Sequence, residues 1–535
     1  MSKGRVKETF SQSVFALMTA QVIVKILGLV YKLYLTNRSG FGDEGNAIAN
    51  GGFQIFALIL SVVAIGIPTA ISKLVAENLA NGNYKGAHKI FRVSLIIFST
   101  IGMIGSFTLY MLSDVLANNY LHISETKTSI IALCPSVFLV SLISVFKGYF
   151  SGRESIKMTA RAQSLDQVTK TISTVVMIEI SVLLLKYTNT ELMAALSNLA
   201  TTLGNIVELI FLYKAYRKII PEISYELSLS KDDTSIRIFE IVKQILIVAM
   251  PISLTAIITA ISKNIDSTSI VNDLTGLIGY EEAKKQYGIL SGKVDALINF
   301  PLSFNMAIVT ALLPTVASAS KNIKSKETRI NQSFLLGLLI SFPVTFVFFF
   351  FSDEILGLLF PNASSGGDIL KISSIQIIFI TIEQITNIIL NGIGKSTVPI
   401  KAIILGVIIK AVLNRVLVHR IDLWFGGTVG ASIATLACHL VASLMSFALL
   451  IKYTKIKISI TTLIKPALAS TIMIIISKIS YIILEGKIES RLRLLISLGL
   501  GILVFLVLSN HILPIKVINI KRESRKKRIL SNYDE

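Results

Sequence analysis

The sequence predicts an all-α polytopic membrane protein, and three observations predict it. Apolar runs recur from end to end, each about 20 residues or longer and so able to cross a ~30 Å hydrocarbon core as a helix. Hydrophobic residues make up 53% of the 535 and charged residues only 16%, where a soluble domain averages about 25% charged. The mean hydropathy is +0.71. The charges that remain alternate in character from loop to loop. The short alternating segments of a membrane β-barrel do not occur.

Length and apolarity give about fourteen spans, at 10–36, 47–74, 90–112, 128–150, 159–185, 191–216, 237–262, 288–317, 332–351, 369–393, 397–419, 428–451, 458–483 and 491–513. The first is too long for a signal-peptide core and has no small-x-small cleavage site, so it reads as a retained helix. It holds Gln21, Lys25 and Lys32. A spacing of seven puts both lysines on one helical face. A charge near the bilayer centre costs at least about 2.5–3.5 kcal/mol. The two lysines therefore face an anion-binding cavity or carboxylates on neighbouring helices. Snorkelling of Lys32 toward the headgroups is the structural alternative.

The second span ends in Ile67-Pro68-Thr69-Ala70. The fifth holds Gln163, Asp166 and Lys170 at helical spacing, with Glu179 deeper. Asp166 and Lys170 read as an ordinary i,i+4 pair or as a gate contact. The eighth holds Lys293, Asp295 and Asn299. Asp295 and Asn299 share a face that excludes Lys293, and Asp295 suits a lysine of the first helix or a coupling cation. The tenth holds Glu383, Asn387 and Asn391 at i, i+4 and i+8, a pattern that glues helices or lines a cavity. The eleventh holds Lys410 and Asn414 on one face, suited to a pyrophosphate or to interhelical hydrogen bonds. Glu208 and His439 stand singly and read as satisfied core groups. Prolines 68, 251, 301, 314 and 343 lie in or near spans, where they kink helices.

One set of loops is basic, for example Lys85, Lys89 and Arg92 or Lys214, Arg217 and Lys218. The other is acidic or mixed, for example Asp43 and Glu44 or Asp353 and Glu354. The positive-inside rule then puts both termini in the cytoplasm, as an even helix count requires. The net charge of +20 is thus a topological signal, not a nucleic-acid footprint. Cys134 and Cys438 are the only cysteines and both fall in apolar segments, which excludes a disulfide framework or a zinc site.

Leu313-Pro314-Thr315-Val316 echoes the second-span motif, and Gly394-Lys395 echoes Gly152-Arg153 at nearly the same displacement. This suggests two six-helix lobes in the same orientation, 1–216 and 237–452, joined by a cytoplasmic linker at 217–236. Two extra helices at 453–513 and a basic tail at 514–535 complete the chain. Lobes of this kind place their site between them at mid-membrane and open alternately. No P-loop, GxSxG elbow or HExxH occurs. The chain reads as no enzyme and needs no cofactor, and an Na⁺ or H⁺ gradient or the membrane potential would drive transport.

Several stretches together resemble the MurJ/SpoVB-type branch of the MOP exporter superfamily. They are Lys25-Ile-Leu-Gly-Leu-Val-Tyr-Lys32, Gly66-Ile-Pro-Thr-Ala-Ile-Ser-Lys-Leu-Val-Ala-Glu77, Phe146-Lys-Gly-Tyr-Phe-Ser-Gly-Arg153, Leu297-Ile-Asn-Phe-Pro301 and Leu390-Asn-Gly-Ile-Gly-Lys395. The resemblance implies two six-helix lobes plus two helices. It implies flipping of undecaprenyl-pyrophosphate-linked sugars across the bacterial plasma membrane, lipid II first among them. A teichoic-acid, capsule or spore-cortex precursor is the alternative cargo, and a drug/cation antiporter the alternative transporter. Lys25 and Lys32 match basic positions of the branch's first helix that are commonly arginine, and lysine keeps the charge without bidentate geometry. The expected substrate contacts are Gln21, Lys25, Lys32, Lys293, Lys410 and Asn414. Asp166, Asp295, Asn299 and Glu383 are the expected gate or ion-coupling groups. A monomer working beside cell-wall synthesis proteins, with membrane lipids around it, is the expected setting.

Overall fold

The computed structural model describes residues 10–64, 66–185, 189–230, 237–318, 323–395 and 397–512, with side chains described from residue 22 and not at 156, 185 or 307–326. Gln21, the Pro314 motif, residues 231–236 and the tail 514–535 lie outside the residues or side chains described. The described residues are almost wholly helical: α1 Phe10–Asn37, α2 Gly42–Val63, α3 Gly66–Ala80, α4 Tyr84–Val115, α5 Thr126–Gly152, α6 Ile156–Leu185, α7 Thr190–Leu229, α8 Ile238–Ile278, α9 Tyr280–Gly288, α10 Asp295–Ser318, α11 Ile323–Phe350, α12 Ser352–Leu359, α13 Gly367–Gly392, α14 Thr397–Leu417, α15 Gly427–Thr454, α16 Ile460–Ile483 and α17 Ser490–Ile512. Eleven segments are long and apolar enough to span a bilayer, α2 and α3 forming one of them. With α1, α10 and α14, each of at least 21 residues, the long segments among the described residues number fourteen.

Local chemistry sets the helix ends. Asn83 Oδ1 accepts the Gly86 N–H at 2.8 Å and Asn189 Oδ1 accepts the Leu192 N–H at 2.8 Å, capping α4 and α7. Asp43 and Glu44 stand in the first turn of α2, where the helix dipole favours negative charge.

Three elements differ from the sequence expectation. The single span at 47–74 is α2 plus α3, broken after Ala64. Pro68 sits in the first turn of α3, where its missing N–H costs nothing. Gly66 lies against α8, and a Cβ there would fall 2.6 Å from the Ala249 carbonyl oxygen. The Ser253 hydroxyl of α8 donates to the Val62 carbonyl at 3.1 Å, taking up an acceptor at the end of α2.

The second difference is α8, which runs on from the expected end at 262 to Ile278. Residues expected in an outer loop are therefore helical, among them Lys263, Asp266 and Asp273. The third is α7, which continues to Leu229 through most of the segment expected as a linker.

The helices α2, α3, α4, α6 and α7 pack around or beside α5, with α1 on α6; α10, α11, α13, α14, α15, α16 and α17 form a second connected set. Long α8 touches both, packing on α2 and α3 and on α14. Between α9 and α10 the chain makes a π-helical turn at Ile289–Val294, a distortion common at functional sites. It packs closely on α2. A Cβ on Gly292 would fall 2.6 Å from Asn46 Cβ, so glycine permits the approach.

Candidate functional site

Lys293 and Asp295 stand two residues apart, on opposite sides of a helical turn, and they belong to two separate clusters. The first is an open, charged face made by α1, α2, α6, α8 and α10. Lys32 donates to Asn50 Oδ1 at 2.8 Å and lies 3.5 Å from Asn46 Oδ1. Both partners are neutral amides, so no carboxylate is in contact with this ammonium. Asn46 is itself fixed by donating to Thr36 Oγ1 at 2.8 Å. Lys170 and Asp295 lie within electrostatic reach of Lys32. Lys170 stands over the rings of Tyr31 and Phe53, 5.1 and 5.2 Å from their centroids, a cation–π arrangement. Lys25 is exposed and senses Lys263 of α8. Lys263 pairs with Asp295 at 3.1 Å.

Four ammonium groups thus share this face with Asp295 and, beyond Lys170, Asp166. By residue type it carries four lysines against two carboxylates. Asn299 is exposed beside it and donates its amide to the Asp295 backbone carbonyl at 2.7 Å. Asp166 sits against Gly204, one turn from a Lys147–Glu208 pair of 2.8 Å.

The second cluster ties together the end of the molecule that bears the acidic loops. Lys293 is fully buried, and its ammonium bonds Asp43 at 2.9 Å and the carbonyls of Ala363 and Ser365 at 2.6 and 2.7 Å. It therefore does not line the open face, as the sequence had suggested. Lys284 of α9, also buried, reaches Glu44, Glu125 and Glu281 at 2.9 Å each. The Tyr280 hydroxyl donates to Glu125 at 2.7 Å. Burial alone would raise the Glu125 carboxyl, but the bonds from Lys284 and Tyr280 outweigh it and hold the carboxyl at about 2. Burial also opposes the charge on Lys284, and the glutamates around it reverse that, keeping the ammonium above the ordinary lysine range. The Tyr280 phenol is pushed up to about 12, by burial first and then by Glu125. These bonds join α2 and the start of α5 to α9 and the loop before α13. At the opposite end, among the described residues, α4 to α7 make no comparable packing against α11, α13 or α15.

Two more expected contacts are tied up elsewhere. Lys410 is buried with Asp266 at 2.6 Å and the Ser262 carbonyl at 2.7 Å, and Asn414 donates to Asp266 at 3.1 Å and to Ser269 at 2.9 Å. The pair staples α14 to α8 and presents no cation to a ligand. Glu383 is held by His439 at 2.9 Å between α13 and α15.

Sequence reasoning missed Lys263, Asp266, Asp43 and Lys284. A signal existed for the α8 pair. Ser262, Asp266, Ser269 and Asp273 recur at spacings of four, three and four, a polar stripe with the helical period that argues for helix past residue 262. For Asp43 and Lys284 no local pattern pointed inward.

The sequence matches the family described as polysaccharide biosynthesis protein over residues 10–320, and the one described as MatE over 291–416. It is 26% identical to stage V sporulation protein B of Bacillus subtilis (strain 168), over 85% of this chain and 86% of that protein. It is 24% identical to the lipid II flippase MurJ of the same organism, over 92% of this chain and 93% of that one. These relatives are not enzymes by name. Among solved structures, the fold is similar to a lipid II flippase MurJ in an inward closed conformation, with a TM-score of 0.69 at 16% identity over 93% of this chain and 98% of that one. It is also similar to an inward-facing multidrug resistance MATE family transporter of the MOP superfamily, with a TM-score of 0.64 at 17% identity over 83% and 98%.

Proposed function

The chain belongs to the polysaccharide biosynthesis protein family, and on that premise we propose that it flips an undecaprenyl-pyrophosphate-linked saccharide across the bacterial plasma membrane, lipid II being the leading cargo. The observation that carries the reading is the excess of lysines over carboxylates on the open face: Lys25, Lys32, Lys170 and Lys263 against Asp295 and Asp166. A pyrophosphate needs several cations in a site poor in water, where each interaction is stronger than in bulk. The polyprenyl tail can stay in lipid between helices while the headgroup crosses.

In this reading the acidic end faces outward and both termini lie in the cytoplasm. The units 1–216 and 237–452 rock against each other where α8 of the second packs on α2 and α3 of the first, and the Lys293 and Lys284 clusters close the outward side. Anionic cargo moving outward is helped by an inside-negative potential, about 2.3 kcal/mol per charge per 100 mV. Asp166, Asp295 and Glu383 are the carboxylates on which any Na⁺ or H⁺ coupling would rest.

The match to MatE over 291–416 favours a second reading, a drug/cation antiporter. Cationic cargo would need an excess of carboxylates where this chain has an excess of lysines, so that reading stands second.

Complementation tests both. The chain is expressed in a bacterium depleted of its own lipid II flippases, beside Lys25→Ala/Lys32→Ala at matched membrane abundance. Growth with the wild type and lysis with the double variant is the expected result. Lysis with both, despite normal insertion, turns the assignment toward another lipid-linked glycan or the antiporter.

A further inference from the structure

A second basic site lies on the outside of the α6–α7 pair, at the end bearing the basic loops. Met158, Arg161, Phe211, Tyr213, Lys214 and Arg217, with Lys218 beyond, line a groove of about 720 Å³. The four cations are exposed. Among the described residues none of them has a hydrogen-bond or ion-pair partner. The contrast with Arg153 is local. It takes Glu226 at 2.7 Å and Glu222 at 3.2 Å, the two carboxylates of this stretch of α7. The groove therefore concentrates positive charge with no ion-pair partner among the described residues.

Its rim is apolar and faces outward. Tyr213 is 50% exposed and Ile210 48%, as expected of side chains in contact with lipid. Depth agrees. At 1.5 Å per residue, positions 214–218 lie roughly 36–42 Å along α7 from Thr190. That is past a ~30 Å hydrocarbon core and within the ~40–45 Å that includes the headgroups. Tyrosine at this level is typical, since its ring is apolar and its hydroxyl wet.

We propose that this groove binds the headgroup of an anionic glycerophospholipid, its phosphodiester among Arg161, Lys214, Arg217 and Lys218 and its acyl chains along Tyr213 and Ile210. Basic pockets between helices at a membrane surface recognise such headgroups electrostatically. The site is separate from the Lys25–Lys32 face and holds whichever cargo that face carries. A bound lipid neutralises the like charges that α6 and α7 bring together and so fastens this helix pair to the membrane.

Local lipid quenching tests it in the full chain. The single tryptophan, Trp424, is replaced by Trp424→Phe, and Tyr213→Trp puts a reporter on the rim. Two vesicle sets contain phosphatidylcholine with about one-fifth phosphatidylglycerol, brominated on one lipid or on the other. Brominated phosphatidylglycerol is expected to quench several-fold more per mole than brominated phosphatidylcholine. Adding Arg161→Gln, Lys214→Gln, Arg217→Gln and Lys218→Gln should bring the ratio to about one. Neutralising Lys401, Lys452, Lys457 and Lys465 at the same end should leave it unchanged. An initial ratio near one, or an equal fall in that control, overturns the site. Relief of quenching by excess inorganic phosphate at constant ionic strength would make it a free-phosphate site and overturn the lipid assignment. Where the fourfold variant fails to insert, Arg217→Gln and Lys218→Gln are read singly, and no fall in either overturns it.

Discussion

Replacing Lys293 by methionine should open the acidic end. The Lys293 ammonium is 0% exposed and Asp43 only 3%, and the two meet at 2.9 Å. In Lys293→Met the Asp43 carboxylate keeps one bond from the protein, the Ser365 hydroxyl at 3.3 Å, and the Ala363 and Ser365 carbonyls lose their donor. Leaving one partner of a buried pair uncompensated costs about 3–5 kcal/mol. That cost falls on the closed arrangement, because separation lets water reach Asp43. Taking about 3 kcal/mol, the balance between closed and open forms moves by about 150-fold. Spin labels at Asn119→Cys and Ser364→Cys, both exposed at this end, read the separation in a Cys134→Ser/Cys438→Ser background. Wild type should give one short distance and Lys293→Met a dominant longer one. Asp43→Asn added to Lys293→Met removes the stranded charge, so the double variant should return toward the short distance. Independent, additive effects of the two substitutions would refute the latch, and so would an unchanged distance in Lys293→Met.

Further expectations follow from the same geometry. Gly66→Ala forces a Cβ onto the Ala249 carbonyl of α8 and should destabilise the protein by about 1–3 kcal/mol, read as a lower melting temperature in detergent. Lys410→Met strands Asp266 and should lower the melting temperature, while Lys410→Met/Asp266→Asn should recover most of the loss. Glu125 carries a pH signature. Its carboxyl lies at about 2 in the fold against an ordinary 4.5, so its contribution is complete above about 4.5 and is lost as pH falls through about 2. Melting temperature should be insensitive to this group from neutral pH to about 5 and fall below that, and Glu125→Gln should flatten that part of the fall.

The helical membrane architecture was legible because it rests on length and apolarity, which no tertiary context overrides. The break between α2 and α3 was not, although Pro68 marked the region, because the exact stopping point depends on Gly66 meeting α8. The end of α8 was misplaced for a chemical reason. Lys263 and Asp266 look like loop residues when each is weighed as an exposed charge. In the fold they are satisfied by Asp295 and Lys410, so the helix tolerates them. Lys25 and Lys32 could be placed on one face from their spacing of seven, whereas Asp295 lies on another helix and spacing left its partner open. Spacing also set Lys293 apart from the Asp295 face, but not its burial, because its partners Asp43, Ala363 and Ser365 lie far away in the chain.

What separates ligand-competent lysines from structural ones in this chain is the kind of partner, not burial. Lys293, Lys284 and Lys410 each meet a carboxylate at 2.6–2.9 Å and are closed sites. An anion approaching them would have to displace a bonded carboxylate and leave it without a cation. Lys32 meets amide oxygens, and Lys170 meets aromatic faces. Those partners orient an ammonium with no carboxylate bonded to it, so under the proposed reading an arriving phosphate has no bonded carboxylate to displace. Lys263 stands between the two classes, since Asp295 holds it at 3.1 Å while both side chains stay partly exposed. An anion there competes with Asp295 for the same ammonium, so binding at the open face bears directly on the contact between α8 and α10. Asp295→Asn should therefore tighten binding of a pyrophosphate probe at this face, whereas the double variant Lys293→Met/Asp43→Asn, which removes a sealed pair without stranding a charge, should leave that binding unchanged. Equal effects of the two variants on probe affinity, measured by titration of the full chain, would remove the distinction between the two kinds of lysine.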